Sequence, residues 1–246
     1  MKEHFKEQEL FETGDVHAFY RQIEDDIKRS TLNWRIYELV QKGVIKRVGR
    51  GKFQLGSEEH FVPGLPEELT KVYNRLHRSF PYLEACMWST SVLNEFTVHQ
   101  PGRFFNLIEV EKEATESVFH QLQESGIPVF LQPSSHQFEH YVVEKREAFI
   151  VQSLISEAPL QVVKGVPTVT LEKILVDLLT NNPVFNVFKG AELKTIFSNA
   201  LEKYTLNENR VLRYANRRGK KKELLNIVTS NSKFKLSAKF RNIAEL

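Results

Sequence analysis

The alternation of apolar and polar positions in the first sixty residues predicts three helices followed by a β-hairpin. The helices are expected at 2–12, 16–23 and 31–42, and the strands at 44–48 and 52–55. Ser30 precedes the third helix as an N-cap residue, and Gly43 follows it as a C-cap residue. Three helices and a hairpin in this order predict a winged helix-turn-helix domain over residues 1–60.

From residue 67 onward the pattern becomes a mixture of α and β, after a linker that contains Gly and Pro. Helices are expected at 67–78, 91–96, 114–124, 171–179, 191–204, 208–217 and 222–229, and strands at 82–88, 104–110, 129–131, 140–143 and 148–155. The tail, 231–241, has no clear period. The sequence therefore predicts an α+β protein, with the winged helix-turn-helix followed by a larger mixed α/β domain, 67–246, whose C-terminal part is helical.

The third predicted helix has one apolar face and one face suited to a DNA groove. The apolar face contains Leu32, Ile36, Leu39 and Val40. The opposite face carries Ser30, Trp34, Tyr37 and Gln41, with Asn33 and Arg35 on its flanks. In a major groove, Arg reads guanine and Asn or Gln reads adenine. This helix is therefore the predicted recognition helix.

Positive charge is concentrated in two segments. The whole chain has a net charge of only +3, and its 41% hydrophobic and 26% charged residues are typical of an ordinary globular protein. Residues 28–52, however, contain eight Lys or Arg against one acid, and 210–241 contain eleven against one. Such local basic fields on an acidic remainder favour contact with a polyanion.

The first basic segment completes the predicted DNA-binding surface. Its residues are Ser30, Thr31, Asn33, Trp34, Arg35, Tyr37, Gln41, Lys46, Arg47, Arg50 and Lys52. The hairpin cations are expected to hold backbone phosphates or to enter a minor groove. In the alternative interpretation Trp34 and Tyr37 pack against the second domain, the cations are solvated, and the small domain binds proteins. The concentration of cations on helix and hairpin favours double-stranded DNA.

Candidate catalytic residues are few. Glu109 and Glu111, with 89–91 upstream, resemble part of a metal site of a nucleotidyltransferase, but both glutamates are expected on a solvated strand face. A nuclease would use Glu139, Glu144 and Lys145, without the usual Glu-x-Lys spacing. We therefore predict no enzyme, no cofactor and no metal. The alternative is a metal-dependent nucleotidyltransferase or nuclease with an appended winged helix.

The histidines and the cysteine are not expected to carry chemistry. His136 and His140 are four residues apart but are placed in a loop or strand, where solvent-exposed side chains are expected. The single cysteine, Cys86, has apolar neighbours and is expected to be a buried thiol. One cysteine, a charged N-terminus and no long apolar stretch predict a protein of the reducing cytoplasm that does not contact a membrane.

Three segments resemble the AbiEi-type antitoxins of type IV toxin–antitoxin systems. In 35–53 a helix leads into Gly, two apolar and two basic residues, and then a wing. In 166–179, Glu172, Lys173, Leu175 and Asp177 are similar to a Pro-Glu-(Arg or Lys)-x-Leu-x-Asp helix, although Pro167 is farther away than in that pattern. The segment 211–219 resembles that family's apolar-Arg-Tyr-Ala helix.

The resemblance implies a repressor of its own operon whose second domain counteracts a cognate, nucleotidyltransferase-like toxin. It also makes Asp177 a candidate functional residue, although a solvent-facing i, i+4 pair with Lys173 is an equal alternative. A second basic patch is expected at Arg210, Arg213, Arg217, Arg218, Lys220, Lys221 and Lys222. The sequence does not distinguish whether this patch contacts flanking DNA, an acidic face of the toxin, RNA or solvent.

Overall fold

The computed structural model describes residues 1–41, 43–56, 60–145 and 147–230. Helices and strands are mixed along these residues, which confirms the predicted α+β class. Lys42, at the predicted end of the third helix, and the tail 231–241 lie outside the described residues. Within them, no helix combines the length and the apolar character that crossing a bilayer requires.

The N-terminal unit, residues 1–56, packs helices against a small antiparallel sheet. Its strands follow the order β1-β3-β2. In chain order its elements are α1 (Lys2–Phe5), β1 (Phe11–Glu12), α2 (Thr13–Arg21), α3 (Arg29–Gln41), β2 (Ile45–Gly49) and β3 (Lys52–Leu55). From α2 onward this is the predicted order, and its interpretation as a winged helix-turn-helix stays a prediction.

The first helix is much shorter than the predicted 2–12, which is wrong beyond Phe5. Phe11 instead pairs with Phe53 across the sheet. The ring centroids of Phe5 and Phe11 are 4.3 Å apart, and those of Phe11 and Phe53 are 6.2 Å apart. A helix turns about 100° per residue, so a continuous helix would place Phe5 and Phe11 on different faces. The extended segment lets both rings enter one core.

We call the β2–β3 hairpin the basic hairpin. Its turn is hydrogen-bonded to the start of α2. Gly51 has a φ of 70°, a left-handed conformation that a residue with a side chain adopts only at a cost. The carbonyl oxygen of Gly51 accepts a hydrogen bond from the backbone N–H of Thr13, with an N–O distance of 2.8 Å. The hairpin turn therefore has a defined position beside α2.

The larger unit, residues 60–230, is built on a four-stranded mixed sheet of order β4-β5-β7-β6. β4 is antiparallel to β5, whereas β7 is parallel to both β5 and β6. The strands are β4 (Ala85–Ser89), β5 (Phe105–Val110), β6 (Val129–Leu131) and β7 (Ala148–Ser153). α4 (Glu67–Ser79) and α5 (Thr115–Glu124) cover one face, where the apolar side chains of Leu69, Leu76 and Leu122 pack with Ile108.

The other face of this sheet is covered by the C-terminal helices. All four begin and end within two residues of the predicted limits. They are α7 (Leu171–Asp177), α8 (Ala191–Lys203), α9 (Glu208–Arg217) and α10 (Lys221–Thr229). Every residue of α7 is buried, including the charged residues Glu172, Lys173 and Asp177. The core of the N-terminal unit contains only residues up to 55, and the two larger cores contain residues from 61 to 228. Their division into separate domains stays a prediction.

Two segments of the larger unit differ from the prediction. The strand expected at 140–143 is wrong, because α6 (Ser135–Gln137) continues into a π-helical turn, Phe138–Val142. Ser134 caps this helix, and its hydroxyl accepts from the N–H of Gln137 at 3.3 Å. The hairpin of β8 (Leu160–Val163) and β9 (Val166–Val169) was not predicted. Its turn places Lys164 and Gly165 at φ values of 50° and 80°.

Candidate functional site

The outer face of α3 is exposed in the way that its periodicity predicts. Leu32 and Ile36 are buried in the core, with 1% and 3% of their surface exposed. Trp34 and Tyr37 are 61% and 57% exposed, so most of each side chain faces solvent. Ser30, Thr31 and Asn33 are exposed as well. The face opposite the core thus presents two aromatic and several polar side chains to solvent.

The basic hairpin, whose strand β2 packs beside α3, carries further exposed cations. Arg47, Arg50 and Lys52 are all exposed. The guanidinium of Arg47 lies 5.4 Å from the ring centroid of Phe53, and Lys52 Nζ lies 3.8 Å from a carboxylate oxygen of Glu12. Arg50 forms no ion pair or hydrogen bond with the part of the chain that the structure describes. Its charge is therefore available to an anionic partner.

Two predicted DNA-binding residues are placed differently from the prediction. Arg35 donates to Glu24 at an N–O distance of 2.8 Å and lies over the ring of Tyr20. Lys46 Nζ is 3.9 Å from a carboxylate oxygen of Glu208 in α9, so this side chain faces the larger unit. The side chain of Gln41 lies outside the described residues.

The second basic patch is divided among several contacts. Arg213 lies 3.7 Å from Glu157, Arg217 donates to the hydroxyl of Ser156 at 2.8 Å, and Lys220 pairs with Glu223 at 2.8 Å. Arg218 turns inward, Arg210 and Lys221 are half-buried, and Lys222 is exposed. Several cations of this patch are thus already engaged with acidic or hydroxyl groups of the larger unit.

Beneath this region is a buried charge cluster, made of Glu109, Lys173, Asp177, Tyr214 and Arg218. Lys173 has none of its surface exposed. Its Nζ donates to both carboxylate oxygens of Glu109, at 2.8 and 2.7 Å, and to Asp177 Oδ2 at 2.6 Å. The buried ammonium of Lys173 thus links Glu109 of the sheet with Asp177 of α7.

Neighbouring side chains also donate hydrogen bonds to the carboxylates of Glu109 and Asp177. The indole N–H of Trp88 donates to Glu109 Oε1 at 2.7 Å. The hydroxyl of Tyr214 donates to Asp177 Oδ1 at 2.8 Å. Arg218 Nε forms an ion pair with the same oxygen at 3.2 Å, but it makes no hydrogen bond with the described residues. Such partners compensate the loss of hydration that burying a charge entails.

The protonation states follow from burial and from the neighbouring charges. Burial alone disfavours a charged lysine, but Asp177 and Glu109 outweigh it and hold the pKa of Lys173 well above its ordinary value. Burial raises the pKa of Tyr214 and that of the Cys86 thiol. Lys173 is therefore charged near neutral pH, and Cys86 is a protonated, buried thiol, in agreement with its predicted burial.

The cluster corrects two sequence-based expectations. Glu109 was expected on a solvated strand face, but only 2% of it is exposed. Lys173 and Asp177 do form the i, i+4 pair, yet this pair is buried instead of facing solvent. The Lys-x-x-x-Asp spacing among the apolar residues of α7 was the available signal for a buried ion pair. Glu109, the second acidic partner of Lys173, was not predicted. A metal ion between the carboxylates would have to displace the Lys173 ammonium.

The other candidate metal residues lie apart from this cluster. His136 and His140 are solvent-exposed, as predicted, but occupy successive helical turns with ring centroids 4.4 Å apart. Glu139, Glu144 and Lys145 are exposed, and Glu111 follows the end of β5. Among the described residues, no three His, Cys, Asp or Glu side chains are grouped so that they could hold a metal ion.

A cleft of about 270 Å³ opens beside the buried charge cluster, at the carboxyl ends of the parallel strands. Gln152 and Ser153 of β7, Gln132 after β6, and Asn182 line it together with members of the cluster. The cleft was not predicted, because its residues come from separate parts of the chain.

Comparison with known protein families identifies the family of this chain. No curated protein matches the chain. A family model matches residues 31–233, a region that begins in α3 and includes the basic hairpin and the buried charge cluster. Since this match covers most of the sequence, the chain belongs to that family, a family of unknown function designated DUF6577.

Proposed function

We propose that the protein is a DNA-binding regulator in which the N-terminal unit acts as a winged helix-turn-helix. The observation that carries the proposal is the exposed face of α3, where Trp34 and Tyr37 are 61% and 57% exposed beside the basic hairpin. Large aromatic side chains on an otherwise polar surface are typical of a binding surface. The neighbouring exposed cations Arg47 and Arg50 favour a polyanionic partner.

Each part of this surface has a distinct role in the proposal. The outer face of α3 enters the major groove, where Asn33 is suited to the paired acceptor and donor of adenine. Trp34 and Tyr37 supply apolar contact to thymine methyl groups and sugars. Arg47 and Arg50 contact backbone phosphates, which position the helix without reading sequence. Arg35 and Lys46, which contact Glu24 and Glu208, contribute less.

Fluorescence anisotropy with a labelled duplex from the region upstream of its own gene tests the proposal. The wild type is expected to bind this duplex more tightly than a scrambled one, and to weaken steeply as salt is raised. Arg47→Ala with Arg50→Ala is expected to reduce affinity for both duplexes. Arg75→Ala with Arg78→Ala, two exposed arginines on α4, is the matched control. Binding that survives loss of the hairpin cations would contradict this site.

The resemblance to AbiEi-type antitoxins extends the proposal to a cytoplasmic repressor of its own operon that also neutralises a toxin. Two of the three resembling segments meet in the buried charge cluster, where Tyr214 of α9 donates to Asp177 of α7 at 2.8 Å. This contact supports a common structural role for them. Co-expression with a nucleotidyltransferase-like protein encoded beside the gene is the test. Growth arrest that persists in the presence of this protein would refute the antitoxin role.

A further inference from the structure

A cavity of about 310 Å³ lies between α2 and α3, beside the proposed DNA-binding surface. Its polar lining comes from Thr13, His17 and Arg21 of α2 and from Arg29 at the start of α3. Ile27 and Leu32 supply apolar walls, and none of the lining residues is acidic. None of the polar lining residues belongs to the DNA-binding set predicted from the sequence.

The two arginines of this cavity have no counterion within the described part of the chain. Arg21 and Arg29 are exposed, and neither forms a hydrogen bond or an ion pair with the residues that the structure describes. Arg35, two turns further along α3, differs because Glu24 pairs with it at 2.8 Å. Two uncompensated guanidinium groups in one cavity create a positive potential that favours an anion.

His17 provides a separate observation on the same cavity. Its Nε2 is shielded from solvent and has no hydrogen-bond partner among the described residues. A shielded imidazole nitrogen without a protein partner can form a hydrogen bond with a ligand that enters the cavity. Burial, and then the charges of Arg29 and Arg21, lower the pKa of His17 below its ordinary value. Positive charge therefore converges on this imidazole.

The position of the cavity connects it to both parts of the proposed DNA-binding surface. The backbone N–H of Thr13 donates to the carbonyl oxygen of Gly51 at 2.8 Å, so the hairpin turn that carries Arg50 lies next to the cavity. Arg29 directly precedes Ser30 and Thr31 on α3. A DNA strand that passes between the start of α3 and the hairpin turn would therefore cross the mouth of the cavity.

We propose that the α2–α3 cavity binds one backbone phosphate of the DNA duplex that α3 reads. Arg21 and Arg29 pair with the phosphate oxygens, a geometry for which guanidinium groups are well suited. His17 Nε2 lies within the same site and is satisfied when the phosphate is present. The inference rests on the proposed function and adds a phosphate contact outside the recognition helix and the basic hairpin.

Salt-dependent anisotropy titrations of the full chain test this inference. Arg21→Gln with Arg29→Gln is compared with the wild type and with Arg75→Gln with Arg78→Gln, which removes the same charge from α4. The anisotropy probes are the upstream duplex and a scrambled duplex of equal length. Inorganic phosphate is tested separately, by the stabilisation of the folded chain that it produces. The cavity variant is expected to bind both duplexes at least about tenfold more weakly. The slope of log K against log salt should fall by about 0.9 for the lost phosphate. The α4 variant should keep the wild-type slope.

The outcomes separate this inference from the proposed function. An unchanged affinity and slope in the cavity variant, while the Arg47 and Arg50 variant loses binding, would overturn the inference alone. A cavity variant that loses stabilisation by inorganic phosphate but keeps its duplex affinity would also overturn it, in favour of a free anion. A wild type that binds neither duplex would overturn both proposals. Equal losses on both duplexes, with the reduced slope, support the phosphate contact.

Discussion

Charged side chains are placed in opposite ways in the two units of the molecule. In the N-terminal unit, Arg21, Arg29 and Arg50 are exposed and have no counterion among the described residues. In the larger unit, Lys173 is fully buried and donates to two carboxylates. An exposed cation keeps its hydration and costs the fold little, so it remains available to a ligand. A buried cation is tolerated only with its partners, so its interactions are already committed to the fold.

This difference predicts different roles for the two units under the proposed function. The exposed cations are suited to releasing counterions from a nucleic acid, an interaction that salt weakens. The buried charge cluster instead connects β5 with α7 through Glu109 and Lys173, and α7 with α9 through Asp177 and Tyr214. We therefore expect changes in the cluster to alter stability, and changes in the N-terminal cations to alter DNA affinity.

The largest effect is expected from Lys173→Met, which preserves the volume of the side chain but leaves Glu109 and Asp177 buried without their cation. Removal of one member of a buried ion pair costs about 3–5 kcal/mol. Urea denaturation followed by circular dichroism measures this loss. Arg50→Ala, an exposed control, should change the unfolding free energy by less than about 0.5 kcal/mol. Similar stabilities for both variants would remove the distinction between the two units.

A smaller effect, on binding instead of stability, is expected from Trp34→Ala with Tyr37→Ala. Both side chains are exposed, so the unfolding free energy should stay near that of the wild type. Preference for the upstream duplex over the scrambled duplex should fall by about 1–3 kcal/mol, the range for base-specific contacts. Competition anisotropy with both duplexes measures it. An unchanged preference would show that these two side chains do not contribute to reading the sequence.

The next effect concerns one hydrogen bond of the buried charge cluster. Tyr214→Phe removes the hydroxyl that donates to Asp177, whose carboxylate keeps its contacts with Lys173 and Arg218. A loss of about 1.5 kcal/mol in the unfolding free energy is expected, at the low end for a bond to a charged group. The chemical denaturation assay used for Lys173 is suitable. A loss as large as that of Lys173→Met would mean that the hydroxyl stabilises the cluster as much as the ammonium does.

The smallest effect is a dependence of stability on pH that originates in His17. Burial, Arg29 and Arg21 lower the pKa of His17 in the folded state, so below the ordinary value of about 6.5 the unfolded chain binds a proton more readily. Stability is therefore lost as the pH falls through this window. His17→Phe should reduce the slope of unfolding free energy against pH between about 5 and 7. An identical slope would indicate that other groups determine it.

Local pattern was sufficient to predict much of the fold. The basic hairpin, α4, α5, β6 and α9 all lie close to their predicted limits, because their signals are period, capping residues and turn glycines within a few positions. The predicted first helix failed because Phe11 completes a core with Phe53, which is 42 positions away in the sequence. Likewise, the α2–α3 cavity joins residues of two helices whose side chains are unremarkable when read singly.

The sequence by itself determined which side of α3 is buried and which is exposed, because the helical period links Leu32 with Ile36 and Trp34 with Tyr37 within two turns. Only the tertiary structure decided that the acidic residues Glu109 and Asp177 are buried. Glu109 and Lys173 are 64 positions apart, and Asp177 and Tyr214 are 37 apart. Their burial results from the packing of α7 and α9 against the sheet, where ion pairs and hydrogen bonds between these groups compensate the loss of water.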